Sequence, residues 1–248
     1  MKRILLLTIF VVATFVASAQ AVATTATSAS ARDTTKVVSV PKTDRLTAFN
    51  QVKIDGPMNV VFKRVESAKD ARITYDTKGN ITSKFKFEID KKGLLVVSEK
   101  SDPKRTSVTD IIIYYHTLRE VRIAHAKAEF EGVIEGTLFD LDISGGAMAS
   151  LEIKTMDVAV ECTGSSRLTL SGSTKYLTMR ASTAKIDCSS LSVVSATVQA
   201  SHAAEVRLAV QERLEATTST GAKLLYKGTP VILRDHTAIF GGDIININ

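Results

Sequence analysis

Past Leu46 the chain is a succession of short apolar runs rich in β-branched and aromatic residues. Val60-Val61-Phe62, Phe85-Lys86-Phe87-Glu88-Ile89, Leu94-Leu95-Val96-Val97 and Ile111-Ile112-Ile113-Tyr114-Tyr115 are examples. Runs of this kind bounded by polar turns predict strands. Only Arg64 to Arg72 has the composition of a short helix. Polar turns at Asp76-Thr77-Lys78-Gly79-Asn80 and Asp90-Lys91-Lys92-Gly93 separate the strands between Met58 and Ser98. That segment need not share the geometry of the chain beyond it.

From Leu141 to Tyr226 the chain repeats. Leu141-Asp142-Ile143, Val158-Ala159-Val160, Leu177-Thr178-Met179, Ala196-Thr197-Val198 and Leu214-Glu215-Ala216 begin at spacings of 17, 19, 19 and 18 residues. A second series trails the first: Leu151-Glu152-Ile153, Leu168-Thr169-Leu170, Ile186-Asp187-Cys188, Val206-Arg207-Leu208 and Leu224-Leu225-Tyr226. Between the two lie small residues suited to a tight corner, such as Ser144-Gly145-Gly146-Ala147, Thr163-Gly164-Ser165-Ser166 and Ser219-Thr220-Gly221-Ala222. A repeat this short has no helix to cover its apolar face, so it must stack on its neighbours. Coiling the chain so that equivalent strands pair in parallel buries the inward residues in one continuous core. The predicted fold is therefore all-β, a right-handed parallel β-helix (β-solenoid). An antiparallel β-sandwich is the competitor, disfavoured because two kinds of corner alternate and small residues recur at one phase.

Outward positions test the register. Lys185, Glu205 and Lys223, one coil apart, alternate in sign, and Asp187 falls beside Arg207, whereas Arg167 over Lys185 is a mild misfit. Exposed pairs contribute little each, so they support a register without explaining stability. The final strands, at residues 238–240 and 244–247, are expected to shield the open end of the coil, where backbone groups would otherwise lack partners.

The N-terminus has a different texture. Lys2-Arg3, the apolar run Ile4 to Val16 and the small residues Ala17-Ser18-Ala19 form a secretory signal pattern over residues 1–19, with Gln20 as the first mature residue. The run is shorter than the roughly 20 residues that span a bilayer. Residues 20–45, rich in Ala, Thr and Ser, show no period and read as a disordered linker or a ragged N-terminus, which places the head at 46–248. Of 248 residues, 44% are hydrophobic and 23% charged, a globular balance. The net charge of +6 loses two units with Lys2 and Arg3, too small an excess for a nucleic-acid binder.

Candidate chemistry is sparse. Two Cys in the chain exclude a disulfide framework and a Cys-rich zinc site. Cys162 and Cys188 fall on inward phases on different sides of the coil, which favours two buried thiols over a disulfide. His116, His125, His202 and His236 are isolated and read as surface or corner residues. Gly241-Gly242-Asp243 has no helix after it to make a phosphate site and reads as a turn. Tyr176 is a lone outward aromatic, and Trp is absent, so an aromatic carbohydrate platform is not expected. The one constellation that could support polysaccharide cleavage is Asp140, Asp142 and Asp157, since that chemistry needs neighbouring carboxylates. Solvated outward carboxylates are the plainer reading. No cofactor or metal is expected.

The layout as a whole resembles the head domain of autotransporter adhesins, the GIN domain. The resemblance rests on the opening Phe49-Asn50-Gln51-Val52-Lys53-Ile54-Asp55-Gly56, on Lys92-Gly93-Leu94-Leu95-Val96, and on short strands broken by Ser/Gly pairs. It also rests on the close, Lys227-Gly228-Thr229-Pro230 followed by Phe240-Gly241-Gly242-Asp243-Ile244. It spans about Leu46 to Asn248. It implies a β-helical head and adhesion or cell-surface interaction, with no catalytic residues attached. An autotransporter would add a C-terminal barrel of amphipathic strands; none follows Ile245-Asn246-Ile247-Asn248, so another export route or partner is expected. The combined expectation is an exported, non-enzymatic, adhesin-like binding protein of the periplasm or cell surface. Its partner would be an envelope or cell-surface protein or glycan, with a polysaccharide-degrading enzyme or a ligand-free structural protein as alternatives.

Overall fold

The computed structural model describes residues 40–79, 84–104, 107–237 and 241–248. The signal pattern, most of the linker and residues 238–240 lie outside the described residues. In chain order the strands are β1 (Lys42–Arg45), β2 (Gln51–Asp55), β3 (Met58–Arg64), β4 (Arg72–Asp76), β5 (Phe85–Ile89), β6 (Leu94–Glu99), β7 (Thr109–Tyr115) and β8 (Glu120–Ala124). Five long strands come next: β9 (Lys127–Ser144), β10 (Met148–Thr163), β11 (Arg167–Ser182), β12 (Lys185–Ser201) and β13 (Glu205–Thr218). The chain closes with β14 (Ala222–Lys227), β15 (Ile232–Thr237) and β16 (Gly242–Asn246). The expected short helix between Arg64 and Arg72 is one 3-10 turn, Ala68–Asp70, capped by the Ser67 side chain.

These strands make an all-β solenoid of about seven turns. Each of β9 to β13 lines one wall of a coil with its first half and the other wall of the next coil with its second half. The first wall stacks β6, β2, β8 and the second halves of β9 to β13, then β15, all in parallel. The second wall stacks β7, β3, the first halves of β9 to β13, β14 and β16, also in parallel. Alternation sends every second side chain inward. On the first wall the buried ladder runs through Ile54, Ile123, Ile143, Cys162, Ala181 and Ala200. Because each coil is covered only by its neighbours, burial is continuous along the axis rather than gathered in one globular centre.

The N-terminal coils are not stacked in chain order. β2 and β3 lie between β6 and β7 on one side and β8 and β9 on the other. The segment from Met58 to Ser98 thus joins the parallel stack in part, while β1, β4 and β5 pair antiparallel and close its end. Phe62 of β3 stacks on Phe130 of β9 with ring centroids 4.2 Å apart and meets Tyr115 of β7 edge-on. Two ring contacts at Phe62 therefore tie β3 to two coils that come much later in the chain. β1 lies upstream of Leu46, inside the stretch that composition assigns to the linker. All four of its residues are exposed, so backbone pairing with β4 and a hydroxyl hydrogen bond between Thr43 and Thr74 order it, and no apolar alternation marks it.

At the far end the inward phase becomes mixed: Leu233 beside Leu214 and Ile244 beside Leu224 continue the apolar rungs, while Asp235 lies beside Ala216, Thr237 beside Thr218 and Asn246 beside Tyr226. The final strand is held by side-chain amides. The Asn248 side chain accepts from the Gly228 N–H at 2.7 Å and donates to the Gly228 carbonyl at 3.1 Å.

Candidate functional site

Parallel stacking converts the outward positions of the first wall into columns along the solenoid axis. One column reads Lys53, Arg122, Asp142, Glu161, Arg180, Gln199, Thr217. The column beside it reads Glu120, Asp140, Ala159, Thr178, Thr197, Glu215. Where small Ala159 and Thr178 stand beside long Glu161 and Arg180, the surface dips into a trough of about 720 Å³. Lys53, Arg122, Asp142 and His125 also line it. A second hollow of about 350 Å³ shares Glu161 and Arg180 and continues along the axis past Gln199 and Thr217, lined by Ser182 and Ser201.

The trough holds charges of both signs, and several are not neutralised within the protein. Arg122 pairs with Glu120 on its own strand. His125, at a corner with φ of 60°, places Nδ1 3.1 Å from an Asp55 carboxylate oxygen. Lys53, Asp142, Glu161 and Arg180 form no ion pair among the described residues. Partial burial is the main cause that lifts the Asp142 carboxyl above the usual carboxylate range, and the neighbouring Glu161 charge adds to it. Arg122 opposes this shift without cancelling it. A half-buried carboxylate beside a like charge is poorly solvated and gains from any cation brought to it.

Of the three carboxylates singled out from the sequence, two meet. Asp140 and Asp142 both line the trough, but Asp157 lies beside Leu138 and Tyr176, outside that lining. The 17-residue step at the start of the repeat is the cause. Leu141 pairs with Val160, not Val158, so the true steps through Met179 and Val198 to Ala216 are 19, 19, 19 and 18. The second series carries the same offset at its start, since Leu151 pairs with Leu170. A slip of two residues leaves every side chain on its own face, so the apolar pattern could not detect it. Even spacing could have, and it would have placed Glu161 rather than Ala159 beside Asp142, and Ala159 rather than Asp157 beside Asp140. Arg122, Glu120 and Lys53 were missed for a different reason: Arg122 and Glu120 sit on β8, one coil before Asp142 and Asp140 and upstream of the repeat as read, and Lys53 reaches the trough only because β2 is inserted beside β8.

A family model described as "Putative auto-transporter adhesin, head GIN domain" matches residues 48–230. The chain belongs to the GIN-domain family. The solenoid is similar to a crystal structure of a "putative adhesin" from Bacteroides fragilis NCTC 9343, with TM-score 0.77 and 15% identity over 84% of this chain and 97% of that one. A "putative adhesin" from Parabacteroides merdae ATCC 43184 gives TM-score 0.66 and 17% identity over 85% and 96% of the two chains. A "Putative lipid binding protein" from Parabacteroides distasonis ATCC 8503 gives 0.64 and 13% over 85% and 97%. These likenesses concern the fold. No curated protein matches the chain in sequence.

Other sequence candidates find plain structural places in this GIN head. Cys162 and Cys188 are free and buried. Burial first, then the Asp142 charge, pushes the Cys162 thiol up to about 12, and burial raises Cys188 as well. His202 occupies a corner at φ 50°. His116 places Nδ1 3.1 Å from the Val65 carbonyl oxygen, which accepts a hydrogen bond from the tautomer protonated there. Tyr176 is 44% exposed, with the Lys175 ammonium 5.3 Å from its ring centroid. Gly241 turns the chain into β16 at φ 70°. Among the described residues no group of His, Cys, Asp or Glu is arranged to hold a metal ion, and no helix is long and apolar enough to cross a membrane.

Proposed function

We propose that the protein is an exported, non-enzymatic, adhesin-like binding protein of the cell envelope, which holds a surface or envelope protein or glycan along the trough of its first wall. One observation carries this reading: a long outer face with a depression running across coils, lined by charges of which four form no ion pair among the described residues. GIN-family membership supports an adhesive role. The signal pattern and the Ala/Thr/Ser-rich stretch supply an export route and a spacer between the head and the rest of the envelope.

Binding depends on the depth of the trough over Ala159, whose side chain points outward and supports nothing in the core. Ala159→Trp should fill the trough while leaving the melting temperature in place. In a pull-down on isolated envelope fractions, the wild-type head should be retained and Ala159→Trp should not. Equal retention of both would remove the trough from the binding site. The same incubation reads the competing enzyme: release of new sugar ends, lost in Asp142→Asn, would make the protein a polysaccharide-degrading enzyme instead.

A further inference from the structure

The order of charges in the trough says more about the ligand than the trough's existence does. Along the solenoid axis the column reads cation, carboxylate, carboxylate, cation at Arg122, Asp142, Glu161 and Arg180, with Lys53 behind Arg122. Adjacent strands lie about 4.8 Å apart, so the flanking cations are roughly 14 Å apart and the midpoint of the two carboxylates is roughly 7 Å from each. A complementary ligand carries one cationic group with an anionic group about 7 Å to either side.

An extended polypeptide meets this spacing without adjustment. Alternate residues point to the same face and rise about 3.3 Å each, so side chains two apart recur about every 6.6 Å along one face. A Glu-x-Lys-x-Glu segment lying along the axis would set its lysine ammonium over Asp142 and Glu161, one glutamate over Arg180 and the other over the Lys53–Arg122 end, where Glu120 pairs with Arg122 and Lys53 is the cation with no ion pair among the described residues. The trough lining contains no Phe, Tyr or Trp, so the broad stacking surface on which sugar rings commonly rest is missing.

Resting on the reading of the trough as the binding site, we infer that its ligand is an extended polypeptide in which a basic side chain is flanked, two residues away on each side, by acidic ones. Charge order rather than net charge is what the trough selects. A peptide with the order reversed, Lys-x-Glu-x-Lys, would set like charges over every group in the column. Complementary order steers encounter and rejects the wrong register, since like-charge juxtaposition is penalised.

The test is fluorescence anisotropy with the full chain and three labelled synthetic peptides: Glu-Ser-Lys-Ser-Glu, its norleucine-for-lysine analogue and Lys-Ser-Glu-Ser-Lys. Wild type should bind the first on the order of tenfold more tightly than either other peptide, as expected for loss of a partly desolvated charge contact. Glu161→Lys should erase or invert that preference, and Ala159→Trp should abolish all binding. Equal binding of the three peptides, or none, while envelope binding stays sensitive to Ala159→Trp, would overturn the polypeptide inference and leave the trough reading standing. So would capture of an acidic amino-sugar oligosaccharide in place of the peptide. Envelope binding indifferent to Ala159→Trp would defeat the trough reading, and this inference with it.

Discussion

The coils from Glu120 onward and the coils before it use the same stacking of parallel strands, but they are assembled differently. Beyond the coil that β8 opens, each coil lies on the one that precedes it in the chain. Before β8, the coil made by β2 and β3 is gripped between two coils that come later in sequence. In the sequential part, loss of one coil's packing is felt mainly by its neighbours. In the inserted part, β2 touches chain more than forty and more than sixty residues away, at residues 94–98 and at Glu120–Ala124, so closing it costs long-range loop entropy before the contacts are gained. The same architecture can thus be locally or globally cooperative according to how the chain is threaded through it.

Two glycines, one in each part, give the largest expected effects. Gly56, between β2 and β3, has φ of 130°, and a Cβ there would lie 2.1 Å from the Glu99 carbonyl oxygen. Gly172, within β11, has φ of 103°, and its Cβ would lie 2.0 Å from the Ile153 carbonyl oxygen. Gly56→Ala and Gly172→Ala should each cost on the order of 3 kcal/mol, from backbone strain plus overpacking. Their footprints should differ. In hydrogen exchange, Gly172→Ala should lose protection in β10 to β12 alone, whereas Gly56→Ala should lose it across β2, β3, β6, β7 and β8 together. Identical footprints would show that threading does not decide cooperativity.

The thiols report on the same contrast with a smaller signal. Both lie in the sequential coils, protonated at any physiological pH because burial raises them. Iodoacetamide at about pH 8 should leave native Cys162 and Cys188 unmodified and label both once the chain is unfolded. Under mildly destabilising conditions Gly172→Ala should expose Cys162 to labelling sooner than Gly56→Ala does. Prompt labelling of the native wild type would mean that the coils open far more readily than their packing implies.

The smallest effect expected is at Asp142. Its folded carboxyl is raised above its unfolded value, so the folded state holds the proton more tightly than the unfolded chain. This contribution favours folding below the unfolded value and is lost as pH rises through the folded one. Asp142→Asn should therefore raise the melting temperature slightly at neutral pH, with a gain that shrinks as pH falls into the carboxylate range. Because Asp142 is only half-buried, solvent screening keeps the gain small. A fall in melting temperature at neutral pH would show that Asp142 is paired rather than strained.

Much of this fold was legible in the residues themselves. Period-two alternation named the inward side chains from Leu141 to Tyr226, recurring small residues named the corners, and the stacking of Lys185, Glu205 and Lys223 is found as read, down to the Arg167–Lys185 misfit. Local chemistry suffices for such features, since a residue's face depends on its own position in a strand. The candidate site was legible only in part: Asp140 and Asp142 were found, but their neighbours depend on register and threading.

The limits of local pattern have the same physical origin. Alternation assigns faces but is blind to a two-residue slip, so Glu161 and not Ala159 became the partner of Asp142, and Ala159 and not Asp157 that of Asp140, through backbone pairing of whole strands. Exposed β1 carries no apolar signal, and nothing local in Gln51–Asp55 says that it will lie beside Glu120–Ala124. That this chain coils, and which side chains it hides, is written in the alternation and spacing of its residues. The order in which the coils stack, and hence which charges share the trough, was settled by long-range pairing, where the energy resides in contacts between residues that no local pattern connects.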